Sequence, residues 1–310
     1  MFGFITNTLL PVLILLLLGW VFFRIKMLNE GFIEAGSKLV FNVALPALLF
    51  LSISQADFSH AANFRLIMTG AIATLGFFLL LMMFCHFSVS PPNARGVVIQ
   101  GGFRANMGII GLAYCTNTYG NDGLAAASVY LGCITILFNV LSVFVLNFYL
   151  DGKRSILQHI KGIITNPLII GILLALPISY WQIQLPEVLL RTGKYFSQLT
   201  LPLALICTGA SLQFRSFSAD WFNIGISTLC KCLLYPGFMV LSAYLMGFRG
   251  MNLGIVLLLS IAPTAAASYV MVRYLGGDHR LAASIIAMTT LVSLPVTAAA
   301  FGTLAYLGVI

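Results

Sequence analysis

Ten long apolar runs, separated by short polar joints, occupy most of this sequence. A helix needs about 20 apolar residues to cross hydrocarbon about 30 Å thick. Only 8% of the residues are charged, against roughly 25% in soluble domains. We therefore predict an all-α integral membrane protein with ten transmembrane helices, called spans 1 to 10, near residues 5–23, 36–55, 66–88, 95–116, 124–149, 159–180, 195–213, 221–246, 252–274 and 281–305.

The basic residues predict the orientation of these spans, because cytoplasmic loops are enriched in Lys and Arg. With the N-terminus outside, the outer joints hold Arg65, Arg191, Lys194 and Arg249. The cytoplasmic joints then hold the larger set Arg24, Lys26, Lys38, Arg95, Lys153, Arg154, Lys161, Arg215, Arg273 and Arg280. The basic residues behind the formal net charge of +8 are thus distributed as expected for a membrane protein, so no nucleic-acid partner is expected. Both termini are expected outside, on the periplasmic face of the cell (inner) membrane.

An internal repeat divides the chain into two halves, residues 1–150 (spans 1 to 5) and 151–310 (spans 6 to 10). A shift of 156 positions brings Pro11 onto Pro167 and Lys38 onto Lys194. The same shift superposes Leu45-Pro46 on Leu201-Pro202, Gly120-x-Asp122 on Gly276-x-Asp278, and Ala126-Ala127-Ser128 on Ala282-Ala283-Ser284. Each half has an odd number of spans, so the second half starts from the opposite side of the membrane. The repeat is therefore predicted to be inverted, as in many transporters.

Two spans carry residues that interrupt a helix at equivalent positions of the repeat. Span 4 contains the glycine-rich run from Gly101 to Gly108, and span 9 contains Pro263. Glycine weakens a helix and proline removes a hydrogen-bond donor. Met107 lies 156 positions before Pro263, and both breaks lie eleven residues from a span end, which is about 16 Å, or half the hydrocarbon thickness. Irregular backbone at that depth survives only beside protein or a water-filled cavity, so the breaks are predicted to cross and to form the binding site.

The candidate site residues surround these two breaks. The predicted substrate-binding residues are Asn106, Arg104, Met107, Gly108, Pro263, Thr264 and Ser268. Arg104 has an equal structural alternative, the capping of carbonyls that the break exposes. Lys231, inside span 8, is a candidate for ion binding, carbonyl capping or anchoring of a moving element. Hydroxyls and freed carbonyls near Thr264 and Ser268 also leave a Na⁺ site open.

The acidic residues all fall in or beside joints, whereas Arg104 and Lys231 lie inside spans. Charges within a membrane normally face a cavity or a partner, so an anionic substrate is a candidate partner for these cations. Membrane enzymes need paired acids, a metal motif or an activated nucleophile, and the spans carry none that we recognise. No enzyme activity, cofactor or bound metal is therefore expected.

Short motifs in a specific order resemble the auxin efflux carrier family, which includes plant auxin exporters and bacterial permeases assigned to malate or malonate. They are Leu10-Pro11 with Gly19, Leu45-Pro46-Ala47-Leu48, Asn106 followed by Gly111 and Tyr119-Gly120, Asn166-Pro167, Leu201-Pro202, Lys231 followed by Pro236, and Ala262-Pro263 with Arg273-Tyr274. The chain departs from the family in having Ala105 and Ala113 where prolines are common. The first break is accordingly expected to be made by glycines.

The resemblance implies ten helices in two inverted five-helix repeats with broken crossover helices, a bile-acid-transporter/NhaA-like fold. It also implies a scaffold from spans 1, 2, 6 and 7, a transport core from spans 3–5 and 8–10, a homodimer, and elevator-like alternating access. The expected function is secondary transport of small organic anions, mono- or dicarboxylates such as malate or malonate, coupled to Na⁺, H⁺ or neither. The alternatives are a sodium-coupled carrier of a neutral or bile-acid-like solute, and an anion channel.

Overall fold

The computed structural model describes residues 5–55, 63–150, 167–211 and 220–310. Over these ranges the regular structure is helical, with one isolated antiparallel bridge between Ala105 and Thr264. Five residues on which the predicted topology and family resemblance partly rest lie outside the described residues, namely Lys153, Arg154, Lys161, Arg215 and Asn166.

The described helices of the first half are α1 (Leu10–Arg24), α2 (Glu30–Leu39), α3 (Leu45–Ser54), α4 (Phe64–Ser88), α5 (Arg95–Phe103) and α6 (Leu112–Tyr149). Those of the second half are α7 (Pro167–Tyr180), α8 (Glu187–Ser211), α9 (Trp221–Leu229), α10 (Tyr235–Leu245), α11 (Gly250–Ile261), α12 (Ala267–Tyr274) and α13 (His279–Tyr306). Single π-helical turns precede α1, α3, α6 and α10, at Ile5–Leu9, Val40–Ala44, Met107–Gly111 and Cys230–Leu234.

Six helical stretches in the described part of the chain are long and apolar enough to cross a membrane, judged by length and composition. They are Thr6–Arg24, Glu30–Leu51, Phe64–Ser88, Met107–Tyr149, Trp221–Leu245 and His279–Tyr306, and the shorter apolar helices are Ile170–Tyr180 and Gly250–Ile261. Ten spans therefore stay a prediction. Span 9 is divided at its interruption, and the end of span 4 runs into span 5 with a kink at Gly120, where φ is 64°. The first part of span 6 lies outside the described residues, and span 7 corresponds to α8, which is not among the six stretches.

Two helices begin earlier than the apolar runs that predicted them. Helix α2 begins at Glu30 and α8 begins at Glu187, whereas the runs begin near residues 36 and 195. Each helix carries an exposed ion pair four residues apart, Glu34 with Lys38 at 2.8 Å in the second half of α2 and Glu187 with Arg191 at 2.5 Å at the start of α8. Such pairs support a helix in water, so the helices extend beyond the apolar stretch that sequence counting detects.

The helices pack into two groups. In one group α8 lies against α1 and α3, and α3 also lies against α7. In the other, α4 packs on α5 and α10, α5 also packs on α6 and α9, and α11 packs on α6 and α10. Contacts between α3 and α6 join the groups.

Glycine permits the tightest crossing of the first group. A Cβ placed on Gly19 would lie 2.1 Å from the carbonyl oxygen of Ile206, and one on Gly209 would lie 2.0 Å from that of Leu16. Helices α1 and α8 therefore meet backbone to backbone, the close approach that small residues allow in membranes.

An aromatic cluster fixes the end of α5, where the first interruption begins. Phe103, the last residue of α5, packs edge-on against Phe78 with ring centroids 5.3 Å apart and against Phe138 at 5.5 Å. Phe138 also approaches the ring of Tyr235 at 6.3 Å. All four rings are buried, so helices α4, α6 and α10 together hold the residue that precedes the break.

Candidate functional site

The structure brings the two predicted interruptions into direct contact. Backbone dihedral angles leave the helical region at Arg104 (φ −73°, ψ 100°) and at Ala262 (φ −51°, ψ 141°). Across the gap, the N–H of Asn106 donates to the carbonyl oxygen of Pro263 at 2.7 Å, and the N–H of Ala265 donates to that of Arg104 at 3.0 Å. The two unwound segments thus satisfy some of each other's backbone groups, and buried backbone groups are paired in nearly all proteins.

The C-terminal ends of the two helices that stop at the crossing are capped by side chains. The hydroxyl of Thr264 donates to the carbonyl oxygen of Gly101 in α5 at 2.7 Å. The ammonium group of Lys231 donates to the carbonyl oxygen of Ser260 in α11. These carbonyls would otherwise lack partners, and a cation is favourable at the negative end of a helix.

Lys231 is fully buried at the π-helical turn between α9 and α10. Its Nζ lies 4.9 Å from the centroid of the Tyr235 ring, close enough for a cation–π interaction. With the Ser260 carbonyl on one side and this ring on the other, the lysine fits the carbonyl-capping and anchoring alternative. That contact joins span 8 to the broken helix of span 9.

Arg104 turns its guanidinium towards α6. One amino group donates to the side-chain oxygen of Asn139 at 2.8 Å and the other to the hydroxyl of Ser142 at 3.0 Å. The residue is 6% exposed, and no carboxylate lies within ion-pair distance of it in the ranges that the structure describes. These contacts favour a structural role for its two amino groups, while its substrate contact stays a prediction.

Asn106 presents an unpartnered amide at the crossing. Its backbone is held by Pro263, but its side chain makes no capping hydrogen bond to the turn Met107–Gly111 that follows. The side chain is only 7% exposed, and no hydrogen bond to it is found among the described residues. An amide can both donate and accept, so this group is available to a ligand.

The other predicted site residues differ in how far their polar groups are already engaged. Thr264 is buried, and both of its donors are engaged. Its hydroxyl donates to the carbonyl oxygen of Gly101, and its backbone N–H donates to the hydroxyl oxygen of Thr289 at 3.1 Å. Ser268 is 2% exposed and its hydroxyl has no hydrogen-bond partner in the described part of the chain. Pro263 and Met107 are buried and Gly108 is half-buried, so these three line the crossing without a free polar side chain.

Gln100, which was not predicted from the sequence, lies one turn before the first break. It is fully buried, its Nε2 contacts the sulfur of Met271 at 3.7 Å, and its Oε1 has no hydrogen-bond donor in the described ranges. The signal was present: Gln100 follows the apolar run Val97-Val98-Ile99. Thr289, which accepts from Thr264, carried no comparable signal because hydroxyls are common in its helix.

The electrostatic balance at the crossing is positive. Arg104 and Lys231 are buried, whereas the described acidic residues are exposed, or half-buried in the case of Asp220 at the start of α9. Two helical segments also begin beside the crossing, at Met107 and Ala267, and helix N-termini attract anions. At the opposing C-terminal ends, one carbonyl of each helix is already occupied by a side-chain donor, at Gly101 and at Ser260.

Comparisons with known proteins agree with a membrane carrier. A family model described as membrane transport protein matches residues 4–156 and 153–300. An uncharacterized transporter of Methanothermobacter thermautotrophicus is 26% identical over 296 residues, covering 93% of this chain and 95% of the relative. The uncharacterized transporter YfdV of Escherichia coli (strain K12) is 25% identical, covering 76% of this chain and 77% of its own length. The uncharacterized transporter MJ1031 of Methanocaldococcus jannaschii is 26% identical, covering 94% of this chain and 96% of its own length.

Proposed function

This chain belongs to the family of membrane transport proteins that includes the auxin efflux carriers, and on that premise we propose that it is a secondary transporter of small organic anions. The substrate binds where the two interrupted helices cross. The observation that carries the proposal is the unpartnered amide of Asn106, held at the crossing by a backbone bond to Pro263. A group fixed in place and left without a partner is prepared for a ligand.

The charge distribution supports an anion as that ligand. The capped ends of α5 and α11 no longer present free carbonyls at Gly101 and Ser260. The helical segments that begin at Met107 and Ala267 present their N-terminal ends instead. A carboxylate of a mono- or dicarboxylic acid such as malate or malonate would accept hydrogen bonds from the Asn106 amide and from such ends.

The register of the elements supports an inverted repeat of five spans per half. Helix α5 begins at Arg95 and α11 at Gly250, 155 residues apart, and Gly120 at the kink in α6 and Gly276 in the turn after α12 lie 156 residues apart with φ of 64° and 82°. In the proposed fold, residues 1–150 and 151–310 are the two repeats. Ten spans follow if α5 with the turn Met107–Gly111, and α11 with α12, each cross the membrane as one broken helix.

The two packing groups support a division into a scaffold (α1, α2, α3, α7 and α8) and a transport core (α4 to α6 and α9 to α13). We propose that the core moves past the scaffold as an elevator and that two copies associate through their scaffolds. Both termini are proposed to face the periplasm, with the protein in the inner membrane. Lipid surrounds its exposed apolar side chains.

Uptake of labelled mono- and dicarboxylates into proteoliposomes tests the function. Saturable uptake with exchange across the membrane is expected, with Na⁺ and pH gradients imposed in turn to identify any coupling ion. Flux that does not saturate or exchange would indicate the anion channel. Stabilisation by Na⁺ with no effect of any organic anion would indicate the sodium-coupled carrier of a neutral or bile-acid-like solute.

Cross-linking tests the elevator motion separately from the substrate. Helix α3 of the scaffold packs on α6 of the core, and a pair of cysteines across that contact reports their relative position. The elevator predicts that oxidising the pair in the membrane stops exchange and that reduction restores it. Unchanged exchange in the fully cross-linked protein would rule out sliding at this contact.

A further inference from the structure

Gln100 and Ser268 place two unsatisfied oxygen atoms on facing helices beside the crossing. The Nε2 of Gln100 in α5 reaches the sulfur of Met271 in α12 at 3.7 Å, which puts this amide against α12. Ser268 precedes Met271 by three residues in the same helix, and residues three apart share a helix face. The side chains of Gln100 and Ser268 therefore border the same space between α5 and α12.

Both oxygen atoms lack partners although both residues are buried. Gln100 is 0% exposed and Ser268 is 2% exposed, and neither Gln100 Oε1 nor Ser268 Oγ has a hydrogen-bond partner in the described part of the chain. Buried polar atoms are paired in the great majority of cases. An exception at a candidate binding site indicates a group that a ligand satisfies.

Partly exposed residues border this space. Met271, which covers the amide of Gln100, is only partly buried, as are Ala266 and Ala267 at the start of α12. Methionine is unbranched and adapts its shape readily. Displacement of this one side chain would open the amide of Gln100 to a ligand at the crossing.

We propose that Gln100 and Ser268 form a second subsite that binds a hydrogen-bond donor of the substrate, so the transported anion carries a hydroxyl or N–H group beside its carboxylate. The Oε1 of Gln100 accepts only, so it needs a donor, and the hydroxyl of Ser268 accepts or donates. Both groups are neutral, which suits a neutral donor, while the carboxylate lies at Asn106. This inference rests on the proposed function and narrows its substrate class.

Matched pairs of acids that differ by one hydroxyl test the subsite. Uptake into proteoliposomes is compared for lactate against propionate and for malate against succinate, in the wild-type protein and in the variants Gln100→Met and Ser268→Ala. We expect the wild type to prefer the hydroxylated acid of at least one pair by about tenfold or more, since a site built to hydrogen-bond a hydroxyl rejects the analogue without it. Both variants are expected to bring that ratio near one.

Tyr130→Phe is the control, because the Tyr130 hydroxyl is also buried and unpartnered within the described ranges but lies against Gly70 in α4. It should leave the ratio as in the wild type. Equal uptake of both members of each pair by the wild type overturns the subsite but leaves anion transport standing. The same conclusion follows if both variants keep the wild-type preference for the hydroxylated acid. Absence of uptake of any organic anion rejects the proposed function itself. Should Gln100→Met fail to fold, Ser268→Ala and the wild-type ratio decide.

Discussion

Asn106 and Pro263 are joined through their backbones and not through their side chains. The backbone N–H of Asn106 donates to the carbonyl oxygen of Pro263 at 2.7 Å. This bond ties the interruption of span 4 to that of span 9. It does not depend on the identity of the side chain at position 106. The amide of Asn106 can therefore be removed without removing the contact that positions it.

Replacing Asn106 with alanine is expected to weaken substrate binding while the fold persists. A hydrogen bond to a charged group contributes about 1.5–3 kcal/mol, so the apparent affinity for the transported anion should fall about 10- to 100-fold. Anion titrations of the purified protein measure this. Asn121→Ala, at an exposed position beside the kink in α6, is the matched control. Equal affinity of Asn106→Ala and the wild type would remove the amide from the site.

Arg104 and Asn139 are expected to be energetically coupled without substrate. Their side chains lie 2.8 Å apart between the first break and α6, and neighbours in one hydrogen-bond network couple by about 0.5–3 kcal/mol. A double-mutant cycle with Arg104→Met and Asn139→Ala, followed by unfolding in detergent, measures the coupling. Additive effects of the two changes would speak against the structural role and leave the substrate contact as the explanation of this buried cation.

Lys231→Met is expected to destabilise the protein even though methionine fills a similar volume. The change leaves the carbonyl oxygen of Ser260 buried without its donor, which costs about 1–3 kcal/mol. Thermal unfolding compares it with Lys38→Met, an exposed lysine paired with Glu34 on the surface of α2, for which almost no change is expected. Similar melting temperatures for both variants would contradict the capping role.

Gly19→Ala is expected to destabilise the contact between α1 and α8. Its Cβ would lie 2.1 Å from the carbonyl oxygen of Ile206, and forced overpacking typically costs about 1–3 kcal/mol. Gly225→Ala is the control, because a Cβ there meets nothing within 4 Å and alanine favours a helix. The first variant should lower the unfolding temperature and the second should hold or raise it. The reverse order would contradict the close packing of α1 on α8.

The helical, membrane-spanning character of the fold and the position of both breaks could be predicted from the sequence. Pro263 and the glycines after Ile99 act locally, through lost donors and backbone freedom, so their effect does not depend on distant packing. The span count was harder. Gly120 bends α6 without ending it, so the end of span 4 and the whole of span 5 form one helix. The helix boundaries were also harder to predict, because α2 and α8 begin before their apolar runs and carry exposed ion pairs.

The partners of the site residues could not be predicted, because they depend on which helix faces which. Arg104 and Asn139 are 35 residues apart, and nothing in the local pattern indicates that α6 receives the guanidinium. The same holds for Thr264, whose hydroxyl is committed to Gly101 across the crossing. Gln100 was detectable as a lone amide in an apolar run, but its missing donor is visible only in three dimensions.

The antiparallel bridge between Ala105 and Thr264 makes the lengths of the two interruptions interdependent. In such a pairing, a shift of one residue turns each side chain to the opposite face. A single inserted or deleted residue between Phe103 and Met107 would separate Asn106 from Pro263 and withdraw the Thr264 hydroxyl from Gly101. Insertions and deletions are therefore expected to be tolerated in the exposed joint at residues 181–186. At the crossing they are expected to be tolerated only when both interrupted segments change in length together.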